Sequence, residues 1–289
     1  MSKIKIAVIG ADGGSKKGHA KDICKMLNSG LYNTEVVSIY ADNREEAEEI
    51  AQYANIPLVA ENEIDAIDAS DAVCITHRNG NFHKKYALIA AEKGKHIFVD
   101  KPLACTVEDA KEIVDAAEKN NVVLFSGSAM EFSSDIAKMK NGIADSELAS
   151  GYVAFPLIDK EEFGGIHFYT HHLLVEASAV FGRDVQEITA HNIGGNIVVI
   201  ARYNDFPVIM NFAANYHGLH LAFYTKDDRS MMSEISMFQA NKLQIEAFVN
   251  AVVGNGKGQT RQELLWPVYL SCAIEKSLQT GETVKITYN

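Results

Sequence analysis

Basic residues are in short supply: 27 Lys plus Arg stand against 38 Asp plus Glu in 289 residues, a formal net charge of −11. A surface this acidic is repelled by phosphate backbones and anionic lipids unless it carries a local basic patch. No Lys/Arg-rich block longer than a few residues occurs, so neither nucleic acid nor a membrane surface is expected as a partner. Long apolar runs are missing as well. The longest stretch without Asp, Glu, Lys or Arg, Phe206 to Thr225, is broken by Asn211, Asn215, His217, Gly218 and His220. That pattern suits paired strands rather than a membrane span. The apolar run Ile6–Ile9 near the start is too short for a signal-peptide core and has no small-residue cleavage site after it. Cysteines number only four (Cys24, Cys74, Cys105 and Cys272) and share no paired spacing. They read as buried thiols of a reducing compartment, so a cytoplasmic location is expected. Internal repeats and low-complexity linkers are absent.

What is present is an ordinary globular balance, 47% hydrophobic and 22% charged. The length suggests two domains at roughly 150 residues each, here 1–125 and 126–289. In the first, short apolar runs at Ile4–Ile9, Glu35–Ala41, Ala72–Thr76, His96–Val99 and Val122–Phe125 alternate with amphipathic stretches. Arg44–Ala54, Phe82–Lys93 and Val107–Asn120 each place their apolar residues on one helical face, the last behind the N-cap Thr106. Strand and helix in alternation predict an α/β fold, a doubly wound parallel sheet covered on both faces. After Ser126 strands follow one another, at Gly151–Leu157, Val185–His191, Asn196–Tyr203, Pro207–Tyr216 and Leu219–Thr225. They predict an open, mainly antiparallel sheet with one helix before it, near Thr170–Phe181, and two after it. Of these two, Gln239–Val253 ends at Gly254. The other starts at a Thr260/Glu263 capping box, stops at Gly281, and is expected to be kinked or delayed by Pro267.

Several residues fit a dinucleotide. The first strand runs into a glycine-rich turn carrying Gly10, Asp12, Gly13 and Gly14, followed by Gly18-His19 and a helix. Glycines there let the backbone approach a pyrophosphate seated on the helix N-terminus. Asp12 replaces the second glycine of the usual spacing, and the loop is one residue longer. The second strand closes at Asp42, placed to hydrogen-bond ribose hydroxyls and to repel a 2′-phosphate, which favours NAD. Arg44, two residues on, leaves NADP open. Lys16 and Lys17 are where positive potential for a dinucleotide is expected. The fourth main strand ends Asp100-Lys101-Pro102, and a lysine there can hold its charge against an alcohol oxygen as hydride leaves the carbon.

These stretches resemble the Gfo/Idh/MocA oxidoreductases, the glucose–fructose oxidoreductase and inositol dehydrogenase family. The resemblance rests on Ala7–Gly10 to His19, Asp42-Asn43-Arg44, Thr76 to His83, the segment Gly94 to Ala104 and the C-terminal run to Ile286. In the lysine segment Asp100 stands where the family has Glu. The resemblance implies a hydride transfer between NAD(P) and a secondary alcohol of a sugar or polyol, with Lys101 beside the nicotinamide and Thr76, His83 and Asp100 around the cofactor. It also implies a homodimer or homotetramer. A histidine of the second domain would serve as acid/base, and His172 matches it by its spacing to Gly182. The family's Asp four residues earlier is Phe168, its glycine is Thr170 and its later acid is Val175; the Pro of the Thr76 loop is missing. Glu176, four residues on, is expected to orient His172, while His171 is the alternative base. Two other readings stay open. One is a catalytically inactive sensor of a dinucleotide or sugar. The other is a metal cluster of His167, His171, His172 and Glu176, disfavoured because no H-E-x-x-H order is present.

Overall fold

The computed structural model describes residues 2–14 and 18–288. Lys16 and Lys17 lie outside the described residues. The chain divides into two compact units, Met1–Gly127 with Lys242–Leu264, and Ser128–Asn241 with Leu265–Asn289.

In the first unit, strands β1 (Ile4–Ile9), β2 (Thr34–Tyr40), β3 (Leu58–Val59), β4 (Ala72–Ile75), β5 (His96–Val99) and β6 (Leu124–Ser126) form one sheet in the order β3-β2-β1-β4-β5-β6. Every pairing is parallel. Helices α1 (His19–Leu27), α2 (Arg44–Ala54), α3 (Glu63–Asp68), α4 (His83–Glu92) and α5 (Val107–Lys119) connect them. All residues of β4 are buried, as expected for a strand covered on both faces. Helix starts follow local chemistry: Asn43 accepts from the Glu45 and Glu46 amides to cap α2, and Thr106 accepts from the Asp109 amide to cap α5. The two-residue β3 and six-residue α3 escape sequence reading because neither is long enough to show a period. Parallel strands all end at one edge, and the order reverses between β2-β1 and β4. That reversal is where open α/β sheets bind ligands.

Helix α8 (Ala240–Val252) explains why a late segment joins this unit. Its fully buried Phe248 packs edge-on against Phe98, 5.5 Å between ring centroids, and against Phe125 at 6.2 Å. Gln244 of the same helix donates to the Gly127 carbonyl at 2.8 Å.

The second unit holds seven strands, β7 (Leu148–Pro156), β8 (Glu187–Ile193), β9 (Asn196–Arg202), β10 (Pro207–Ala213), β11 (His220–Thr225), β12 (Ser230–Glu234) and β13 (Val284–Lys285), in the order β12-β11-β7-β10-β9-β8-β13. Only β7–β10 is parallel; the other five pairings are antiparallel. One face of the sheet, with Val153, Phe155, Val199, Met210 and Leu221, packs with Leu173, Leu174 and Ala177 of α7 (His167–Phe181). Two helices, rather than the one expected, come before β8 in this layer, α6 ahead of β7 and α7 after it. Helix α6 (Ser134–Ile143) buries Ile136 and Met139, and α7 begins at His167, ahead of the expected Thr170. Thirteen of the fifteen residues of α7 are buried, so it is a core helix without a solvent stripe. Helix α9 (Arg261–Thr280) starts on schedule, with the Thr260 amide donating to Glu263 at 2.8 Å. Pro267 lies inside it and does not delay it. Among the described residues no helix is long and apolar enough to cross a membrane.

Candidate active site

The carboxyl ends of β1, β4 and β5 carry most of the chemistry of the first unit. Gly10 leaves β1 with φ 102°, and a Cβ there would meet the His77 amide nitrogen at 2.8 Å. Gly18, φ 132°, sits so close to the Asp12 carbonyl that a side chain would collide with it. Both positions therefore require glycine. Two further contacts knit the turn to the loop after β4. The Thr76 hydroxyl donates to the Gly10 carbonyl at 2.9 Å, and the Arg78 amide donates to the Asp12 carboxylate at 2.8 Å. The His77 ring stacks on Tyr86 at 5.1 Å. Burial pushes the His77 imidazole down to about 4, so it is neutral near pH 7.

Gly13 and Gly14 also take positive φ, and the Gly13 amide donates to Glu46 at 3.3 Å. Asp42 is exposed at the end of β2 and accepts from the Tyr40 hydroxyl at 3.1 Å. Arg44 is held between Glu48 at 2.8 Å and Glu61 at 2.7 Å, so its charge is already engaged by carboxylates. A guanidinium that the sequence did not single out, Arg78, stands 3.9 Å from the Cβ position of Gly18, beside the start of α1.

Lys101 closes β5 and is 2% exposed. Burial disfavours its charge, Asp100 supports it and Arg78 repels it; the result is an ammonium pulled down to about 8. Asp100 is buried beside it and accepts from His19 Nδ1 at 2.7 Å. Burial alone would raise the Asp100 pKa, but His19 and Lys101 hold this carboxyl well below the usual carboxylate range. The Lys101–Pro102 peptide is cis. His83 is wholly buried, with Nδ1 2.7 Å from the Pro102 carbonyl and Nε2 2.9 Å from the His77 carbonyl. Its ring thus bridges the loops after β4 and β5.

In the second unit, α7 carries the histidines, and they diverge. His167 faces α9, with Nδ1 3.0 Å from Ser271 Oγ and Nε2 3.4 Å from Glu275. His172 turns the other way, its Nδ1 2.7 Å from Ser128 Oγ. The expectation that Glu176 orients His172 is overturned. Both Glu176 carboxyl oxygens are buried without a hydrogen-bond partner among the described residues, and burial pushes this carboxyl well above its ordinary range. Ser128 does the orienting, a residue passed over because it lies 44 positions away in sequence. Its Oγ accepts from the Met130 amide at 3.2 Å, which fixes the hydroxyl at the start of a short 3-10 turn. The rings of Phe155 and Tyr169 flank His172, each 5.4 Å away centroid to centroid. Among the described residues no group of three or more His, Cys, Asp or Glu is placed to hold a metal ion.

A parallel sheet with a glycine turn at its switch point, an acid after β2 and a buried lysine after β5 defines a dinucleotide-binding domain. Residues 4–128 match the oxidoreductase family with an NAD-binding Rossmann fold known as Gfo/Idh/MocA. The match covers the first unit's parallel-sheet domain, which is similar to that family's NAD-binding domain. Glucose-6-phosphate 3-dehydrogenase of Bacillus subtilis (strain 168) is 33% identical over 147 residues, 50% of this chain and 39% of that protein. The chain thus spans about two fifths of that relative's length. In structure, GenD2 from gentamicin A biosynthesis, in complex with NAD, aligns with a TM-score of 0.86 over 100% of this chain and 97% of its own, at 14% identity. The myo-inositol dehydrogenase of Lactobacillus casei, in complex with NAD(H) and myo-inositol, aligns with a TM-score of 0.84 over 99% and 98%, at 17% identity. Likeness at such identities establishes the fold.

Proposed function

We propose that the protein is an NAD-dependent dehydrogenase that oxidises a secondary alcohol of a sugar or polyol, or reduces the corresponding ketone. The observation that carries this reading is Lys101, a buried ammonium with its pKa drawn to about 8 at the carboxyl end of β5 in an NAD-binding Rossmann domain. When bound, NAD supplies the two-electron hydride acceptor. Gly10, Asp12, Gly13 and Gly14 form its cradle, and Arg78 supplies positive charge beside the start of α1. Thr76 and His83 act by holding the loops of the site in place. Lys101 lowers the cost of negative charge on the alcohol oxygen, with Asp100 keeping it charged. His172 takes the alcohol proton, or returns it in the reverse direction, with Ser128 fixing its ring. The substrate class is supported by relatives named for sugar and inositol hydroxyls, such as the inositol 2-dehydrogenase of Agrobacterium fabrum.

Cofactor choice follows from charge. Asp42 disfavours a 2′-phosphate, and Arg44 is committed to Glu48 and Glu61. NADH is therefore expected to bind at least tenfold more tightly than NADPH in a fluorescence titration, about 1.4 kcal/mol; tighter NADPH binding overturns the assignment. Incubation with NAD and a panel of inositols, hexoses and amino sugars should give reduction at 340 nm with at least one. Cofactor binding without any turnover would instead favour a sensor. A cytoplasmic location accords with Cys24, Cys74 and Cys105 as buried thiols. Self-association accords with Ile200 and Met232 exposed on the open sheet face, and light scattering measures it.

A further inference from the structure

Helix α1 begins behind Gly18 without a side-chain hydrogen bond to cap it, so its first-turn amides are open to an anion. Its first residue, His19, has a half-exposed side chain whose Nδ1 lies 2.7 Å from Asp100 Oδ2 at the end of β5. Strand β4 stands between β1 and β5, so this contact bridges the switch point of the sheet, where a pyrophosphate is expected. The other ring nitrogen, Nε2, makes no hydrogen bond with any described residue. Asp100 sets what that nitrogen can do. It is held as a carboxylate by His19 and Lys101, and a carboxylate only accepts, so Nδ1 carries a hydrogen and donates. In a neutral ring Nε2 is then a lone pair, which repels a phosphate oxygen. In a protonated ring it is an N–H, which pairs with one.

We propose that His19 is a ligand of the dinucleotide pyrophosphate and binds it as an imidazolium, taking up a proton as the cofactor arrives, with Asp100 as counter-ion. This role presupposes the reading of the first unit as an NAD site. One proton passes from solvent to Nε2, and none leaves the cofactor, whose pyrophosphate is esterified at both ends and has no proton to titrate near neutrality. The charge-assisted bond that results is of the stronger kind. The other groups facing Asp100 and Lys101 are the Arg78 guanidinium, His83 of α4 and Cys74 of β4. Burial holds the His83 imidazole down and the Cys74 thiol up, away from neutrality. Lys101, at about 8, is therefore the rival destination for a proton.

The test is calorimetry of NADH binding to the full-length protein at pH 6.5, 7.5 and 8.5, each in two buffers of different ionisation enthalpy, which counts the protons taken up. Wild type should take up part of a proton per NADH at pH 7.5 and bind more tightly as pH falls. His19→Asn, at an exposed position where folding is not at stake, keeps a donor for Asp100 but carries no charge. Its proton uptake should vanish, and at pH 6.5 it should bind NADH about tenfold more weakly than wild type, converging with it at pH 8.5. His19→Arg stays charged and should bind NADH without proton uptake. Equal binding by His19→Asn and wild type at pH 6.5 would reduce the histidine to a structural contact and overturn the proposal. Uptake that survives His19→Asn and disappears in Lys101→Met would assign the proton to the lysine, with the same consequence. NADH binding without proton uptake overturns this role alone, whereas no NADH binding at any pH removes the cofactor reading with it.

Discussion

The end of β5 and the first turns of α7 each bury ionisable side chains, and they solve the problem in opposite ways. Around Lys101 the charges compensate: Asp100 lies against the ammonium, and His19 closes on Asp100 at 2.7 Å. A buried charge set of this kind is stable only when each member is matched, since one uncompensated ion in a low-dielectric interior costs several kcal/mol. At His172 the ring nitrogen Nδ1 instead meets a hydroxyl, Ser128 Oγ, at 2.7 Å. Phe168 stands four residues before His172, Glu176 is buried apart, and the ring is held by a neutral serine. A serine fixes orientation without raising the basicity of the ring, whereas a carboxylate does both. The Lys101 region is thus an electrostatic device and the His172 region a geometric one.

The comparison is broken most directly at the histidine. His172→Ala should lower kcat by about 10²- to 10⁴-fold, the usual worth of a positioned acid/base, with NADH affinity unchanged. Steady-state rates on a turned-over polyol check this. Unchanged turnover, or a larger fall in His171→Ala, moves the role to the neighbouring ring. Ser128→Ala keeps the imidazole and frees it to rotate, so a loss of about tenfold in kcat, roughly 1.4 kcal/mol, is expected with little change in KM.

At the lysine the effect is electrostatic. Lys101→Met should cost about 10²- to 10³-fold in kcat, as for loss of one preorganised donor. Because Lys101 loses its proton near pH 8 rather than in the ordinary lysine range, wild-type kcat should fall on the alkaline side from about pH 8. Lys101→Arg stays charged, so its profile should lack that limb even where its rate is reduced. A wild-type profile flat to pH 10 would show that the ammonium is not what stabilises the alkoxide.

Much of the first unit was legible because its signals are local. Arg44–Ala54 forms the helix its periodicity announces, β1 and β5 fall on their expected residues, and the Thr106 cap is made. Asp100, Lys101 and Pro102 are adjacent in sequence, so their chemistry could be read together. The histidine site resisted for the opposite reason. Ser128 reaches His172 across 44 residues, and no periodicity predicts that contact. Helical spacing suggested Glu176 as the partner, since i and i+4 share a face. In a helix buried on all sides, sharing a face does not mean sharing a hydrogen bond. Helix α6 and strand β12 were missed on weaker signals. The former buries only Ile136 and Met139, and every residue of the latter is exposed or half-buried.

The smallest effect concerns Glu176, and it separates the two regions by pH rather than by rate. Burial raises its folded-state pKa well above the ordinary glutamate value, whereas in the unfolded chain it titrates as a normal carboxyl. Between those two values the native state keeps a proton that the unfolded state has lost. Stability therefore declines with rising pH through that window, by at most about 1.4 kcal/mol per pH unit. The contribution is fully present below the unfolded pKa and disappears as pH rises through the folded one. Glu176→Gln has no proton to lose, so it should melt above wild type at pH 8 and approach it at pH 5. The Lys101 region has the opposite signature for its acid. Asp100 is held low by His19 and Lys101, so its contribution is present above the ordinary Asp pKa and is lost on acidification. Thermal melts of Glu176→Gln and Asp100→Asn from pH 5 to 8 distinguish the two. A Glu176→Gln melting difference that is constant across this range would mean that the α7 carboxylate is ionised and matched after all, which would erase the contrast between the two regions.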